Sequence, residues 1–322
     1  MKQTIFFLCV LILFPVIIFS QDTSSYNKKK DTIVNDGNAK LTLPTVLVRN
    51  NFDYKKVLHQ IQEDTSFYKA FRNLRILNYT SYNDIKMLNK DASIKASLHS
   101  KIQQQRKNGC RTMQVLEEQT TGDFYDSKHN YNYLTAQLYA SLFFTKGSIC
   151  GETNIIKGAN ISTANTSGID KHKEQLKMLF FNPGKKIPGI PFIGDKLDLY
   201  DEHAKKLYNY NLDIEDYNGI MCYVFSITPK DDLSSWKKND VIVDAMVTKF
   251  DMQTMNVLYR NYSLSYKAGI YNFDVSMEVE MQHFDDLIVP KILRYKGNWD
   301  VIFKKTERAL FTATLFNFKK ED

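Results

Sequence analysis

The sequence predicts an α+β fold in which a large, curved and unclosed antiparallel β-sheet, a half-barrel, wraps over a few α-helices. Three observations lead to this prediction. Residues 271–283 alternate strictly between apolar and polar side chains. Further alternating segments flank this stretch and are joined to it by short turns. Other regions carry apolar residues at the spacing of an amphipathic helix, and such helices can cover the apolar face of the sheet.

Residues 271–283 predict an unusually long β-strand. Successive side chains of a strand point to opposite faces, so the alternation gives one apolar face and one polar face. The strand is well above the usual length of ~5–6 residues and therefore needs long neighbours. Burying one large apolar side chain is worth about 1.5–3 kcal/mol, so this face has to be covered. The apolar face consists of Tyr271, Phe273, Val275, Met277, Val279 and Met281.

The first forty residues predict export from the cytoplasm. Lys2 precedes an apolar run from residue 5 to residue 19, which is the pattern of a signal peptide, so we expect residues 1–20 to be cleaved. The competing interpretation is an uncleaved anchor, but the run is shorter than the ~20 residues that a spanning helix needs. Residues 21–40 are polar and predict a flexible leader. A single domain is expected over residues 41–322, in a periplasmic or secreted location.

Helices are predicted in three places and a strand is favoured in a fourth. Tyr54–Ile61 and Phe67–Leu74 carry apolar residues at i, i+3, i+4 and i+7, which predicts two short helices or one bent helix. His172–Phe180 places Leu176 and Phe180 on one face. Leu134–Phe144 is ambiguous, because its alternating Ala and Leu residues fit a strand or a helix. We favour a strand there, since the Lys-Gly pair that follows would close a hairpin.

The remaining strands are predicted from period-two alternation between turn signals. Asn108-Gly109 and Asn218-Gly219 are tight-turn signals. The connections between the last strands are short, so neighbouring strands should pair antiparallel. The predicted strands besides 271–283 are residues 92–102, 110–116, 207–212, 220–227, 241–250, 257–266, 287–295, 299–303 and 307–318.

Three cysteines remain after the signal peptide is removed. Cys110 precedes one predicted strand, and Cys150 lies at a turn flanked by Gly. An oxidising compartment permits disulfides, so we expect these two to form one. Cys222 lies within an apolar strand and is expected to be a buried free thiol.

The composition and the motifs exclude several functional classes. The net charge is +7, but the basic residues are spread along the chain rather than concentrated in the stripe of a nucleic-acid-binding protein. The HExxH, GxSxG, GxGxxG and P-loop patterns do not occur, and no histidines have the spacing of a zinc site. We therefore expect no enzyme, no catalytic residues, no metal and no cofactor. No later apolar stretch is long enough to span a bilayer.

A candidate ligand site lies on the apolar face of strand 271–283. The six residues of that face, together with Leu176 and Phe180 on the covering helix, could line a cavity for a hydrophobic ligand. Met is adaptable and suits surfaces that bind changing ligands. A stripe of Met and aromatic residues is equally compatible with a solid core. The sequence leaves these two interpretations open.

The second half of the chain resembles the LolA/LolB-like lipoprotein-carrier superfamily. The resemblance lies in the order of Tyr208-Asn209-Tyr210, Tyr217-Asn218-Gly219, Cys222-Tyr223-Val224-Phe225, Thr228-Pro229-Lys230, the strand 241–250 and Val289-Pro290. Proteins of this superfamily form an unclosed antiparallel sheet over helices, and their hollow binds the acyl chains of lipoproteins in the periplasm. The resemblance therefore implies the same half-barrel. None of the carriers' ligand-contacting residues can be transferred to this chain.

Two functional hypotheses follow. The first is a non-enzymatic protein of the envelope that holds an acyl chain, another hydrophobic ligand or a lipidated protein between sheet and helices. The second is an envelope scaffold or sensory module with a solid core, whose partners are other envelope proteins bound at its surface.

Overall fold

A mixed β-sheet of thirteen strands dominates the part of the chain that the computed structural model describes. The described residues are 32–36, 39–44, 47, 52–156, 179–181, 183–186, 194–267, 271–301 and 306–321. They all belong to the unit Asp31–Asp322. The predicted signal peptide, residues 21–31 of the predicted leader, and Leu176 lie outside the described residues.

The strands of this sheet run from near the start of the described chain to its end. They are β1 (Thr32–Asp36), β2 (Ala39–Leu43), β3 (Asn78–Leu88), β4 (Ile94–Lys107), β5 (Cys110–Thr121), β6 (Ile149–Cys150), β7 (Tyr208–Tyr217), β8 (Ile220–Pro229), β9 (Val243–Asp251), β10 (Val257–Lys267), β11 (Tyr271–Phe284), β12 (Leu287–Val301) and β13 (Glu307–Lys319).

The order of the strands confirms the predicted unclosed sheet. It is β1-β2-β7-β8-β9-β10-β11-β12-β13-β3-β4-β5-β6, so β1 and β6 form two separate edges. β7 to β13 follow one another as a meander, and β13 pairs antiparallel with β3. Only one pairing among the described strands departs from the antiparallel prediction. β2 runs parallel to β7, with Leu41 opposite Tyr210.

The helices are short, and they lie in segments of the chain that connect one strand of the sheet to another. They are α1 (Tyr54–Gln62), α2 (Ser66–Asn73), α3 (Leu134–Phe143), α4 (Ala204–Leu207) and α5 (Ser235–Lys238), with a 3₁₀ turn at Leu74–Ile76. Residues 179–181 are also helical. The structure confirms the helices predicted at Tyr54–Ile61 and Phe67–Leu74. No helix among the described residues is both long enough and apolar enough to cross a membrane.

The strand favoured at Leu134–Phe144 is wrong, because this segment forms the helix α3. Its buried residues, which include Thr135, Leu138 and Phe143, recur at helical rather than alternating spacing. The first turn is stabilised from a distance: the Glu307 carboxylate accepts hydrogen bonds from the backbone N–H groups of Leu134 (2.9 Å) and Thr135 (2.8 Å). A carboxylate at the N-terminus of a helix satisfies free N–H groups and interacts favourably with the helix dipole.

α2 is fixed to the sheet by three polar contacts in addition to its apolar face. The hydroxyl of Ser66 accepts a hydrogen bond from the backbone N–H of Val257 (2.9 Å). The amide of Asn73 donates to the carbonyl of Ile288 at 2.7 Å. Asp64, just before the helix, pairs with Arg260 of β10 at 3.5 Å, and both side chains are 9% exposed. α2 therefore has a fixed position over β10 to β12.

The two N-terminal strands begin inside the stretch predicted as a leader. Leu41 and Leu43 of β2 are buried in the core, whereas Ile33 of β1 is 63% exposed. β2 therefore belongs to the folded unit, and β1 is the exposed edge of the sheet.

Candidate functional site

The apolar face of β11 is buried. Its side chains Phe273, Val275, Met277, Val279 and Met281 are all at most 7% exposed. Residue 271, the first of the predicted site, belongs to β11, but its side chain is outside the described part. The opposite face is polar: Arg294 of β12 contacts Glu278 and Glu280 there at 2.8 and 2.7 Å. The alternation in the sequence therefore separates core from solvent, as predicted.

Phe180 and Met277, which the sequence assigns to one site, meet under the sheet. Both line a small void whose volume is about 10 Å³. Phe180 also packs on Tyr295 of β12, with ring centroids 5.3 Å apart. Within the described residues, the space beneath β11 is thus filled by side chains.

A larger cleft lies beside this packed region, between α2, α3 and the strands β5 and β6. Its volume is about 320 Å³. The walls are mainly aromatic and aliphatic, and they include Phe71, Leu74, Tyr79, Leu142, Phe143, Phe144, Ile149 and Phe181. Phe71 and Phe181 pack with ring centroids 4.7 Å apart. We call this space the cleft.

Two side chains line both the cleft and the void under β11. Leu142 and Phe143 of α3 line both spaces. Phe143 is buried, and its ring lies 4.8 Å from that of Tyr139. These two side chains therefore separate the cleft from the region beneath Met277.

Three arginines line the cleft: Arg72, Arg75 and Arg111. Glu152 pairs with two of them, at 3.2 Å from Arg75 and 2.7 Å from Arg111. Arg111 also donates to the Thr145 hydroxyl at 2.6 Å. Burial, and then the charge of Arg72, lower the pKa of Arg75. The side of the cleft formed by these arginines is therefore polar and positively charged.

A short segment lies beside the arginines of the cleft, and we call residues 150–155 the strap. Cys150 at its start forms a disulfide with Cys110, the pair expected from the sequence. The strap presents its carbonyls to basic side chains: Arg72 donates to Thr153 O (2.7 Å) and Lys69 to Asn154 O (2.7 Å). The strap is thus tied to β5 covalently and to α2 by hydrogen bonds.

Asn73 connects the strap to the sheet. It accepts a hydrogen bond from the Asn154 amide at 2.8 Å and donates one to Ile288 O of β12. Asn73 is only 2% exposed, so both bonds satisfy polar atoms that would otherwise be buried without partners. Asn73 therefore holds the strap in a fixed position relative to α2 and β12.

The third cysteine is isolated from this site. Cys222 of β8 is buried and is not part of a disulfide, as predicted. Burial, followed by the neighbouring charge of Asp251, raises the pKa of its thiol to about 11. Since the thiolate is the reactive form, Cys222 is poorly suited to act as a nucleophile at neutral pH.

The sequence-based search missed the basic residues of the cleft. It treated residues 67–74 only as an apolar stripe. Lys69, Arg72 and Arg75 recur at every third residue, and residues three apart lie on neighbouring positions of a helix. This spacing is a signal that could have been found. No comparable signal marks Arg111, which reaches the cleft through the pairing of β4 with β5.

Comparison with known proteins gives only distant likenesses. No family model matches the sequence, and no curated protein matches it. A solved structure described as an outer membrane lipoprotein-sorting protein domain, from Vibrio parahaemolyticus, has 11% identity and a TM-score of 0.27, with 80% of this chain and 93% of that chain covered. A DUF1329 family protein from Desulfovibrio piger has 11% identity, a TM-score of 0.24 and the same coverage.

A lipovitellin structure is also similar, with 7% identity, a TM-score of 0.28, 77% of this chain covered and 26% of the other. Sequence identities and TM-scores this low support no particular function. Function has to be inferred from the cleft and its side chains.

Proposed function

We propose that the protein binds a hydrophobic ligand, an acyl chain or a lipidated protein, and catalyses no reaction on it. The proposed location is the periplasm or the exterior of the cell. The cleft is the observation that supports this most strongly. Small-molecule sites are typically concave, mostly apolar pockets of roughly 300–1,000 Å³ with a few polar groups; the cleft lies at the lower end of that size range and combines aromatic walls with three arginines.

The ligand would lie between helices and sheet, in the cleft beside the apolar face of β11 that the sequence-based hypothesis named. It would enter at the cleft, beside Phe71 and Phe144, and its distal end would displace Leu142 and Phe143 towards Met277. Rotation of a few side chains requires no change in the strands. Met277 suits such a place, because its unbranched thioether adapts to different neighbours.

Binding of a fluorescent fatty-acyl probe to the purified protein tests this proposal. Ser141 lines the cleft, is exposed and lies on α3, so Ser141→Trp should fill the cleft without disturbing the core. We expect the parent protein to bind the probe and this variant to bind it at least tenfold more weakly. Ser235→Trp, an exposed serine on α5 away from the cleft, is the matched control and should bind like the parent.

Native mass spectrometry of protein purified from its own host provides a second measurement. A co-purifying acyl-containing molecule that is absent from Ser141→Trp would support the proposal. It would be refuted if no lipid co-purified and the parent protein did not bind the probe.

A second candidate is an envelope scaffold or sensory module with no small ligand. The observation that favours it is the tight packing beneath β11, where the void has a volume of about 10 Å³. On this hypothesis Ser141→Trp would leave all interactions of the protein unchanged. Partners would then be found by crosslinking in cells, and the crosslinks would map to exposed surfaces and not to the cleft.

A further inference from the structure

We propose that the ligand of the cleft is an acidic lipid, whose acyl chain lies against the aromatic walls and whose headgroup oxyanion is bound by Arg72, Arg75 and Arg111. This inference rests on the proposed function, since it specifies the chemistry of the same ligand. The shared chemistry is a carboxylate or phosphate attached to an acyl chain.

The charges around the cleft are unbalanced. Three arginines line it, and no Asp or Glu is among the described residues that do so. Glu152 is the recorded ion-pair partner of both Arg75 and Arg111, at 3.2 and 2.7 Å. Arg72 donates to the carbonyls of Thr153 and Ile155, which are neutral acceptors. An excess of about two positive charges is therefore left for a ligand to neutralise.

Arg72 has an unused donor at this place. Its Nε is buried and has no hydrogen-bond partner among the described residues. An unsatisfied buried donor is costly, and more so on a charged group. Guanidinium groups bind carboxylate and phosphate oxygens by two parallel hydrogen bonds, which are shorter and stronger than those between neutral groups. A rotation of the Arg72 side chain that brought Nε to the surface of the cleft would let a bound oxyanion supply the missing acceptor.

The walls indicate that the anion is attached to an acyl chain. Phe71, Phe143, Phe144 and Phe181 form a continuous apolar lining next to the arginines. A free anion would leave this lining unoccupied, and a neutral lipid would leave the guanidinium groups without a counter-charge. An amphipathic anion would place its charge against the arginines and its acyl chain against the aromatic side chains.

The strap holds the basic side chains in place before any ligand binds. Arg111 is fixed by Glu152, Thr145 and Gln104, the last at 3.1 Å. Arg72 is held through the carbonyls of the strap, whose own start is anchored by the disulfide. Side chains fixed in advance lose less conformational entropy on binding, which favours affinity.

Competition against the bound fluorescent acyl probe tests the inference. The competitors are a fatty acid, a lysophosphatidic acid and a monoacylglycerol of equal chain length, together with acetate and inorganic phosphate. We expect the two acidic lipids to bind the parent protein about tenfold or more tightly than the neutral one, as charge-assisted hydrogen bonds allow. Acetate and phosphate should not compete. The relative affinity of the two acidic lipids identifies the headgroup.

Substitution of Arg72 gives the second arm of the experiment. Arg72→Gln should reduce the affinity for acidic lipids about tenfold and leave that for the neutral lipid unchanged. Arg294→Gln is the matched control, because Arg294 is 45% exposed on the polar face of the sheet. Added salt should weaken binding of the acidic lipids to the parent protein and not that of the neutral lipid. The salt dependence is measured on the parent protein, so its interpretation does not depend on whether a variant folds.

The outcomes separate the two proposals. If no lipid competes and the probe itself does not bind, the proposed function fails. If the neutral lipid binds as tightly as the acidic ones, or phosphate competes as well as the lysophosphatidic acid, hydrophobic binding or anion binding stands alone and the acidic-lipid inference is overturned.

Discussion

The hydroxyl of Tyr262 on β10 lies 2.9 Å from the sulfur of Met277 on β11 and donates to it. The same hydroxyl is 3.1 Å from the carbonyl of Phe180, in the helical segment that covers these strands. Tyr262 is buried, and this burial raises the pKa of its phenol. One side chain thus links two neighbouring strands to the element that lies over them.

Met277→Ala should destabilise the protein by about 2–5 kcal/mol, because a large-to-small change in a packed core loses both transfer energy and contacts around the new cavity. Met277 is 2% exposed, and its sulfur is also an acceptor for Tyr262. Urea unfolding followed by circular dichroism measures the change. Ser276→Ala, on the other face of the same strand, is the control and should change stability by less than about 1 kcal/mol. A Met277→Ala variant as stable as the parent would show that this part of the core is not tightly packed.

Loss of the disulfide should destabilise the native state and loosen the strap. Cys110 and Cys150 are 40 residues apart, and closing a loop of that size is worth roughly 4 kcal/mol in the chain-entropy model. The double variant Cys110→Ser/Cys150→Ser should therefore have a lower urea midpoint than the oxidised parent.

Reduction of the parent without other change should lower its midpoint to the value of that double variant, which itself should not respond to reductant. Equal midpoints for the oxidised and reduced parent would contradict the prediction.

Asp64→Ala should cost about 3–5 kcal/mol, since it leaves the charge of Arg260 buried without its ionic partner. Arg260 is buried, its guanidinium carbon lies 4.4 Å from the centre of the Phe67 ring, and burial lowers its pKa. In the double variant Asp64→Ala/Arg260→Met no charge is left unpaired, so part of the loss should be recovered.

Thermal or urea unfolding of the parent, the two single variants and the double variant gives the coupling energy between the two residues. A coupling energy near zero would mean that the pair does not stabilise the position of α2.

The sheet could be predicted from the sequence because the alternation and the turn signals that specify it lie within short stretches of the chain. β11 alternates without a break, and the structure gives the strand as Tyr271–Phe284, one residue longer than predicted. A shift of one residue would turn the whole apolar face to solvent, so the register is strongly specified. Short turns then determine the antiparallel order from β7 to β13.

The errors in the prediction come from contacts between distant parts of the chain. α3 depends on Glu307, which is 172 residues away from Thr135 and cannot be recognised as its cap from the local sequence. The parallel pairing of β2 with β7 likewise joins Leu41 to Tyr210. The cleft forms only when α2, α3 and β5 come together in the folded chain. The spacing of Lys69, Arg72 and Arg75 is therefore the only signal of it that the sequence contains.

Alkaline pH should destabilise the protein through Tyr79, which lines the cleft and is 4% exposed. Burial raises the pKa of its phenol from 10.0 to about 12, while the charge of Arg111 lowers it. The folded state therefore binds the phenolic proton more tightly than the unfolded state, so this contribution is complete below pH ~10 and is lost as the pH rises through ~12. Urea midpoints measured across this pH range should fall less steeply for Tyr79→Phe than for the parent. Identical slopes for Tyr79→Phe and the parent would contradict the role given to Tyr79.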